Sequence, residues 1–547
     1  MTIARKLYPV KGSANIYLST IVVATDSYIE SAKEKARLLV CDGDTIIPEK
    51  TKKHQFILHG LAWLFTYAKG MQALAIWAEE NQQAAQEHQH LIEALYGYWL
   101  QQLIHGVIMA PCEVFYPSSL GLEPQAHILA AHPAVKQLLN NYHTQAELYG
   151  LALQAGLKFP YITLSGDIEA AAKTARDFAN THIRPHAWHN NRQLIPLELI
   201  AEMGRLGFFG VTFPEHYGGS ALGKLAMVRV TEEISRISLI AGSLGTRAEI
   251  AGEMIYLNGT PQQKERYLSK IATGEILTSA VFTEPNVGSD LANVQCRAEK
   301  KGDFYYLTGE KTWITHGSRS HLMTVLARTN PDEKGYKGLS MFLVEKTPEN
   351  SQSLFPDDQM EGTEIETLGY RGLGEYNLHL DGLKLPADAL LGGEEGQGFK
   401  QLMRTFESAR IQTAARGVGV ALHAVDLALS YATTRQQFGR KIGEFPRISI
   451  KLGIMMAEAF TAQLLTHEAA RKKDTGQRCD QLAGMAKLLA ARVAWNNADM
   501  AMQIWGAHGY AADSAIAGLL CDARILSVFE GSAEIQAEVI ARSLLQK

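Results

Sequence analysis

The sequence predicts an α+β protein in which helical domains flank an all-β middle domain. Three observations carry this expectation. Apolar residues recur at helical spacing up to about residue 275. From Leu277 the pattern shifts to short segments bounded by Gly, Asn, Asp and Lys. After Gly392-Gly-Glu-Glu-Gly-Gln-Gly398 the helical spacing returns and persists to the end. The domains expected are 1–160, 161–275, 276–388 and 389–547, within the three or four packing units that such a length supports.

Each segment has its own local reasons. Residues 1 to about 110 carry Trp63, Phe65, Ile76, Trp77, Tyr96 and Trp99 at intervals that suit packed helix faces beneath Gln- and Glu-rich surfaces. A loop follows through Pro111, Pro117 and Gly121-Leu-Glu-Pro124, then a shorter helical pattern from Ile128 to about Leu153. Ser165 or Asp167 can cap a helix over about 169–180, with Pro185 turning the chain. Helices continue to about Leu268, interrupted by Pro214-Glu-His-Tyr-Gly-Gly219. Strands are expected at Thr278–Phe282, Phe304–Leu307, Leu322–Leu326 and Met341–Val344. The final helices are expected at Phe406–Tyr431, Ile448–Lys473, Cys479–Trp505 and Ile525–Leu544, dense enough in apolar residues to pack on one another or on a second subunit.

Composition narrows the function. At 46% hydrophobic and 20% charged over 547 residues, the chain is globular and long enough for a large core. A net charge of -4 with dispersed basic residues gives no reason to expect nucleic acid or an anionic membrane as partner. Five cysteines, at 41, 112, 296, 479 and 521, are too scattered for a thiolate cluster or a disulfide scaffold, so a reducing compartment fits. No signal core and no uncharged membrane span are expected, which leaves the cytoplasm.

Chemistry concentrates in the tail. Asp522-Ala-Arg-Ile-Leu-Ser-Val-Phe-Glu530-Gly-Ser sets one carboxylate beside an apolar run. Partial desolvation by Leu526, Val528 and Phe529 would raise its pKa toward that of a general base working near neutrality; the plainer reading of the same residues is a solvated helix face. Neither Gly-x-Gly-x-x-Gly after a strand nor a Walker Gly-x-x-x-x-Gly-Lys-Ser occurs, which disfavours a doubly wound dinucleotide fold and phosphoryl transfer. His182, His186 and His189 share a helical spacing that Pro185 interrupts, and no metal site is expected.

Four motifs, in order, carry a resemblance over roughly residues 165–547. They are Phe282-Thr-Glu-Pro-Asn-Val-Gly-Ser-Asp290, Gly309-Glu-Lys-Thr-Trp313-Ile-Thr315-His-Gly317, Arg435-Gln-Gln-Phe438-Gly439 and Phe529-Glu530-Gly531-Ser532. Their order and spacing resemble those of the flavin-dependent acyl-CoA dehydrogenases. The resemblance implies an N-terminal helical domain, a barrel-like middle β domain and a C-terminal four-helix bundle, here preceded by a helical extension, and a homodimer or a homotetramer built of dimers. It implies FAD as cofactor, an acyl-CoA thioester as substrate and electron-transferring flavoprotein as electron acceptor. Glu530 then matches the catalytic base, and Gly531 makes room for the thioester. Phe282, Thr283 and Ser289 resemble the loop that meets flavin and acyl-CoA, with Ser289 on the CoA side. Trp313 resembles the aromatic that lies against the flavin, and Thr315 the hydroxyl near its N5. Arg435 and Phe438 resemble the segment that reaches the adenosine diphosphate part of a neighbouring subunit's FAD. Gln503, Gly506, Ser532 and Glu534 complete the cofactor set, although Ala507 replaces a glycine and Glu534 a glutamine of many members. Arg410 resembles an arginine close to the active-site carboxylate, or forms a structural ion pair.

The acyl pocket of the family corresponds to Leu239-Ile-Ala-Gly-Ser-Leu-Gly-Thr-Arg247-Ala-Glu249. An arginine among small apolar residues is costly to bury alone and suited to holding a distal carboxylate. Arg247 therefore points to a short dicarboxylic monothioester; its alternative is an ion pair with Glu249 or Glu253 on a helix surface. Residues 1–160 carry no nameable chemistry and are expected to pack over the core or to hold a partner.

Overall fold

The computed structural model describes residues 14–186 and 193–546. They divide into two compact units: one comprises the stretch ending at Leu164 with Val420–Lys472 and Gln477–Lys547, the other Ser165–Gly419 with Lys473–Gly476.

The first unit begins with the extension. Helices α1 (Ala14–Val40), α2 (Gln55–Glu80), α3 (Gln89–His105) and α4 (Pro133–Gln154) form it, with a small hairpin at Cys41–Asp42/Thr45–Ile46. A second hairpin, Val107–Ala110 with Glu113–Phe115, replaces the loop expected around Pro111. The proline stands at its turn, where no ladder N–H is required. Pro133 likewise splits the helix expected from Ile128 into Glu123–Ala131 and α4.

The second unit opens with α5 (Gly166–Phe178), followed by a π-turn at Ala179–Ile183 in which His182 stacks on Phe178 with centroids 5.2 Å apart. His189 lies outside the described residues. Helices α6 (Gly223–Ser235), α7 (Leu239–Asn258) and α8 (Pro261–Ala272) complete its helical part. Thr260 and Gln263 cap α8 reciprocally, satisfying donors that the first turn leaves unpaired. The β domain has seven strands: β1 (Thr278–Val281), β2 (Arg297–Lys301), β3 (Phe304–Thr315), β4 (Leu322–Arg328), β5 (Leu339–Glu345), β6 (Met360–Glu364) and β7 (Glu375–Pro386). Their order is β6-β7-β3-β2-β4-β1, with β5 also paired to β4. Strand β4 is buried along nearly its whole length, which explains its continuous apolar run. Strand β3 runs eight residues beyond the expected Leu307, to Thr315, and pairs with β7 along that length.

Helix α9 (Gly398–Thr434) runs from the second unit into the first. The first unit then resumes with α10 (Pro446–Asp474), α11 (Asp480–Trp505), α12 (Ala515–Ile525) and α13 (Ala533–Leu545). The helix expected over Ile525–Leu544 is instead a turn followed by α13, because α12 ends at Ile525 and the chain passes through left-handed conformations at Glu530 and Gly531 before Ser532 caps α13. Among the described residues, α10 is the one helix long and apolar enough to cross a membrane; it carries charges such as Glu458, so it is not an uncharged span, and 78% of its apolar window is buried inside the protein.

The extension packs on these last helices through the aromatic residues noted in the sequence. Trp77 meets Phe460 edge-on at 4.8 Å, and Trp99 Nε1 donates to Glu458 Oε1 at 3.2 Å. Arg492 lies over the Trp63 ring at 3.4 Å while donating to the carbonyls of Ile108 and Met109. Such a cation–π contact is worth about 0.5–2 kcal/mol. Gly150 of α4 sits against the Ser449 carbonyl of α10, and Gly453 of α10 against the Ala146 carbonyl of α4, so a Cβ at either would force the helices apart.

Candidate active site

The β domain builds one part of the site. Strands β3 and β7 pair in antiparallel register, but Ile314 faces Tyr376 while Lys311 faces Leu378. Two residues of β3, Thr312 and Trp313, therefore oppose Asn377 alone. The extra residue is a bulge, a device that re-aims a side chain. Trp313 takes φ 58°, and its indole stands 56% exposed off the sheet. That exposure rules out a core tryptophan. The bulge is held by Thr312, whose N–H donates to Thr283 O at 3.0 Å and whose Oγ1 bonds Asn377 Oδ1 at 2.6 Å.

The loop after β1 is pinned from beneath. Lys311 Nζ, wholly buried, bonds Glu284 at 2.9 Å and the carbonyls of Phe282 at 3.1 Å and Leu326 at 2.8 Å. Glu284 also accepts the N–H groups of Gln295 and Cys296, each at 2.8 Å. Phe282 and Thr283 are consequently fixed beside Thr312 and Trp313, half-exposed, while Ser289 lies exposed farther along the loop.

At the end of β3, Thr315 is buried and its Oγ1 donates to Glu375 Oε1 at 2.7 Å. Burial raises the Glu375 acid to about 7, against the pull of the Thr315 hydrogen bond and the Arg247 charge. The next residue, His316, is buried and pushed down to about 3, chiefly by desolvation, and stays neutral. Beside it lies a small cavity lined by Leu244, Arg247, Ala248, Leu277, Thr278 and His316, among others. Arg247 is 9% exposed, and its carbonyl accepts the Thr278 hydroxyl at 2.8 Å. Lys224 stands against both acids considered as helix-surface partners of Arg247. Lys224 Nζ bonds Glu249 and lies 3.1 Å from Glu253, which also accept the Thr212 and Ser408 hydroxyls respectively. Three further arginines are buried in this unit, of which Arg229 pairs with Glu232 and Glu233. Arg410 packs over the Phe406 ring at 5.8 Å, and Arg416, fully buried, bonds Ser243 at 2.9 Å and Thr413 at 2.8 Å. Tyr370 lies within the electrostatic reach of both Arg247 and Arg416, and burial raises its phenol despite them.

The first unit builds a second constellation. Glu530 sits half-buried in the turn between α12 and α13 with φ 54°, and Gly531 follows with φ 88°. A left-handed conformation costs a non-glycine residue roughly 1–2 kcal/mol, so neighbours must hold it. Lys487, buried on α11, donates to Gly531 O at 2.6 Å, and Gln536 Nε2 reaches the carbonyls of Glu530 and Gly531 at 3.2 Å each. The Gln536 amide fills the space a Cβ at residue 531 would need. Leu526 is buried and Phe529 half-buried, but Val528 is 50% exposed, so the apolar shielding expected around Glu530 excludes Val528. The cause is the end of α12 at Ile525, which turns Val528 outward.

Ser532 caps α13, and its hydroxyl holds the Glu534 carboxyl below its usual range, helped by nearby His59 and Lys487. Lys487 is the cation near that charge, since burial lowers His59. Arg435 and Phe438 occupy the hairpin Gln436–Gln437/Arg440–Lys441, where Phe438 is 92% exposed with φ 52°. Gln503 and Gly506 are exposed at the end of α11, and Ala507 starts a single helical turn there. The structure thus gathers Phe282, Thr283, Trp313 and Thr315 on one unit with Arg247 and Arg410. It places Glu530, Gly531, Ser532 and Glu534 together on the other.

Sequence reasoning missed Glu375, Lys487 and Arg416 as site residues. Lys487 and Arg416 did carry a signal, a lone cation in an otherwise apolar helical run. Glu375 carried none, since only strand pairing sets it opposite Thr315.

Models of the acyl-CoA dehydrogenase N-terminal, middle and C-terminal domains match residues 165–275, 279–383 and 396–545. The chain belongs to the acyl-CoA dehydrogenase family. It is 44% identical to (2S)-methylsuccinyl-CoA dehydrogenase of Cereibacter sphaeroides over 98% of this chain and 99% of that one, extension included. A glutaryl-CoA dehydrogenase solved with glutaryl-CoA is 32% identical, covering 70% of this chain and 95% of its own, with TM-score 0.66. A chain solved in work on the electron transferring flavoprotein of Acidaminococcus fermentans is 31% identical, covering 71% and 100%, with TM-score 0.67. Members of the family are flavoproteins whose usual cofactor is FAD. The bulge fits such a planar group, because it turns a largely exposed indole out beside a buried hydroxyl.

Proposed function

We propose that this enzyme oxidises (2S)-methylsuccinyl-CoA to mesaconyl-CoA. Bound FAD supplies the acceptor for a hydride from the substrate β-carbon. Glu530 takes the α-proton, and the turn that presents it is held by Lys487 and Gln536. Trp313 covers the flavin and excludes water, with Phe282, Thr283 and Thr315 completing that face. Arg435, Phe438, Gln503, Gly506, Ser532 and Glu534 are assigned to the rest of the cofactor, partly across a subunit boundary. Ser289, Gly531, Arg247 and Arg410 are assigned to the thioester substrate. The extreme exposure of Phe438 supports the subunit assignment, since a lone aromatic that open suits a partner surface. A homodimer or homotetramer is therefore proposed, with electron-transferring flavoprotein as acceptor and the cytoplasm as compartment.

One observation carries the choice of substrate. Arg247 is buried beside a small apolar cavity, while the neighbouring acids Glu249 and Glu253 face Lys224. A guanidinium in that setting suits a short thioester ending in a carboxylate. The full-length likeness to a methylsuccinyl-CoA dehydrogenase selects the branched member of that class. The likeness to a glutaryl-CoA complex makes another dicarboxylic or short branched acyl-CoA the alternative.

The test is anaerobic bleaching of the flavin by (2S)-methylsuccinyl-, glutaryl-, isobutyryl-, isovaleryl- and butyryl-CoA, with products identified by mass. Rapid bleaching by the methylsuccinyl thioester alone, with mesaconyl-CoA formed, is expected. Faster bleaching by another thioester would keep the family and reject this substrate.

A further inference from the structure

Glu375 and Thr315 form a closed pair. They face each other in register where β7 begins and β3 ends, and the Thr315 hydroxyl bonds the carboxyl at 2.7 Å. Their backbones are fixed independently of that bond. Ser279 Oγ donates to Thr315 O at 3.0 Å, Ile365 N–H to Glu375 O at 2.7 Å and His316 N–H to Gly374 O at 3.0 Å. Both side chains are 7% exposed, and two residues before Thr315 the bulge presents Trp313. The pair therefore lies directly behind the surface proposed to meet the flavin.

A hydroxyl has one proton and two lone pairs. If Glu375 is ionised it can only accept, so the Thr315 proton points into the sheet and only lone pairs face outward. If Glu375 is neutral, its own O–H can point to the Thr315 oxygen, and the Thr315 proton is released to the other side. We propose that Glu375 is a positioning residue that sets the polarity of the Thr315 hydroxyl, the neutral acid turning it into a donor toward bound flavin and the carboxylate into an acceptor only. This rests on the flavin reading above.

The surroundings make Glu375 the group that titrates here. Arg247 of α7 faces it as a fixed cation, Tyr370 stays a neutral phenol because burial raises it, and His316 stays neutral because burial lowers it. Burial holds the acid near neutrality, so the donor form prevails below about pH 7. The same neutral form leaves the charge of Arg247 to the distal carboxylate of a substrate, whereas an ionised Glu375 competes for it.

The experiment uses the full chain loaded with FAD carrying nitrogen-15 at N5, and follows the N5 resonance from pH 5.5 to 9, because that resonance responds to a hydrogen bond at N5. Wild type is expected to move from a bonded to an unbonded position in one titration centred near neutrality. Glu375→Gln, which cannot ionise, is expected to stay at the low-pH position throughout. A resonance independent of pH in the wild type overturns the proposal whether or not the variant folds, and so does an equal titration in the variant. A protein that takes up no FAD, seen as missing flavin absorbance, overturns the flavin reading and this inference with it.

Discussion

Replacing Arg247 with alanine removes a guanidinium that is 9% exposed, without disturbing the backbone bond from Thr278 to its carbonyl. The neighbouring Glu249 and Glu253 keep their pairing with Lys224. The cost should fall on the substrate. Two charge-assisted hydrogen bonds to a carboxylate are worth about 1.5–3 kcal/mol each, and breaking a buried ion pair on one side costs about 3–5 kcal/mol. With about 1.4 kcal/mol per tenfold change, kcat/KM for (2S)-methylsuccinyl-CoA is expected to fall by roughly a hundred- to several-thousand-fold, mostly in KM. Butyryl-CoA has no distal carboxylate and should change little. Arg247→Lys keeps the charge but loses the planar fork, so an intermediate loss is expected. Steady-state kinetics with both thioesters decides the matter. Equal losses for the two would refute the assignment of Arg247 to the carboxylate.

Two further outcomes follow from buried groups of the first unit. Lys487→Met removes the 2.6 Å bond to Gly531 O that holds the left-handed turn at Glu530. It is expected to lower kcat by roughly 10- to 100-fold, the equivalent of one charge-assisted bond, with KM nearly unchanged; an unaltered rate of flavin reduction would show that Gln536 suffices. Glu458, buried against Trp99, is raised from 4.5 to about 7 by desolvation. The folded state binds that proton more tightly than the unfolded chain, so this stabilisation is full below pH 4.5, declines as pH rises and is lost above about 7. Glu458→Gln should escape the loss, worth about 3 kcal/mol. Its melting temperature relative to wild type is expected to climb between pH 5 and 8 and then level off, and a gap constant with pH would refute the cause.

The α+β order and most helices were legible because periodicity is local. The strands at Leu322 and Met341 and the turn at Gly506 declare themselves within a few residues. Errors fell where one residue changes the path. A helix through Ile525–Leu544 satisfied the apolar pattern, yet Gly531 with Ser532 ends it, and the resulting turn is what presents Glu530. The hairpin at Val107–Phe115 was hidden because strands of four and three residues flanking Pro111 give too short a pattern to separate strand from loop.

By itself the sequence determined the domain order, the motifs that identify the family, and an arginine in the segment proposed to receive the acyl group, since each depends on residue type and spacing along the chain. The tertiary structure alone decided that Arg247 is buried and lines a cavity rather than standing on a helix surface. It decided too that the extension packs on α10, α11 and α13, that a bulge turns Trp313 outward, and that Glu375 stands behind Thr315. These depend on register and packing between segments far apart in the chain, and the local alternation of apolar and polar residues carries no record of which distant partner a strand or helix will meet.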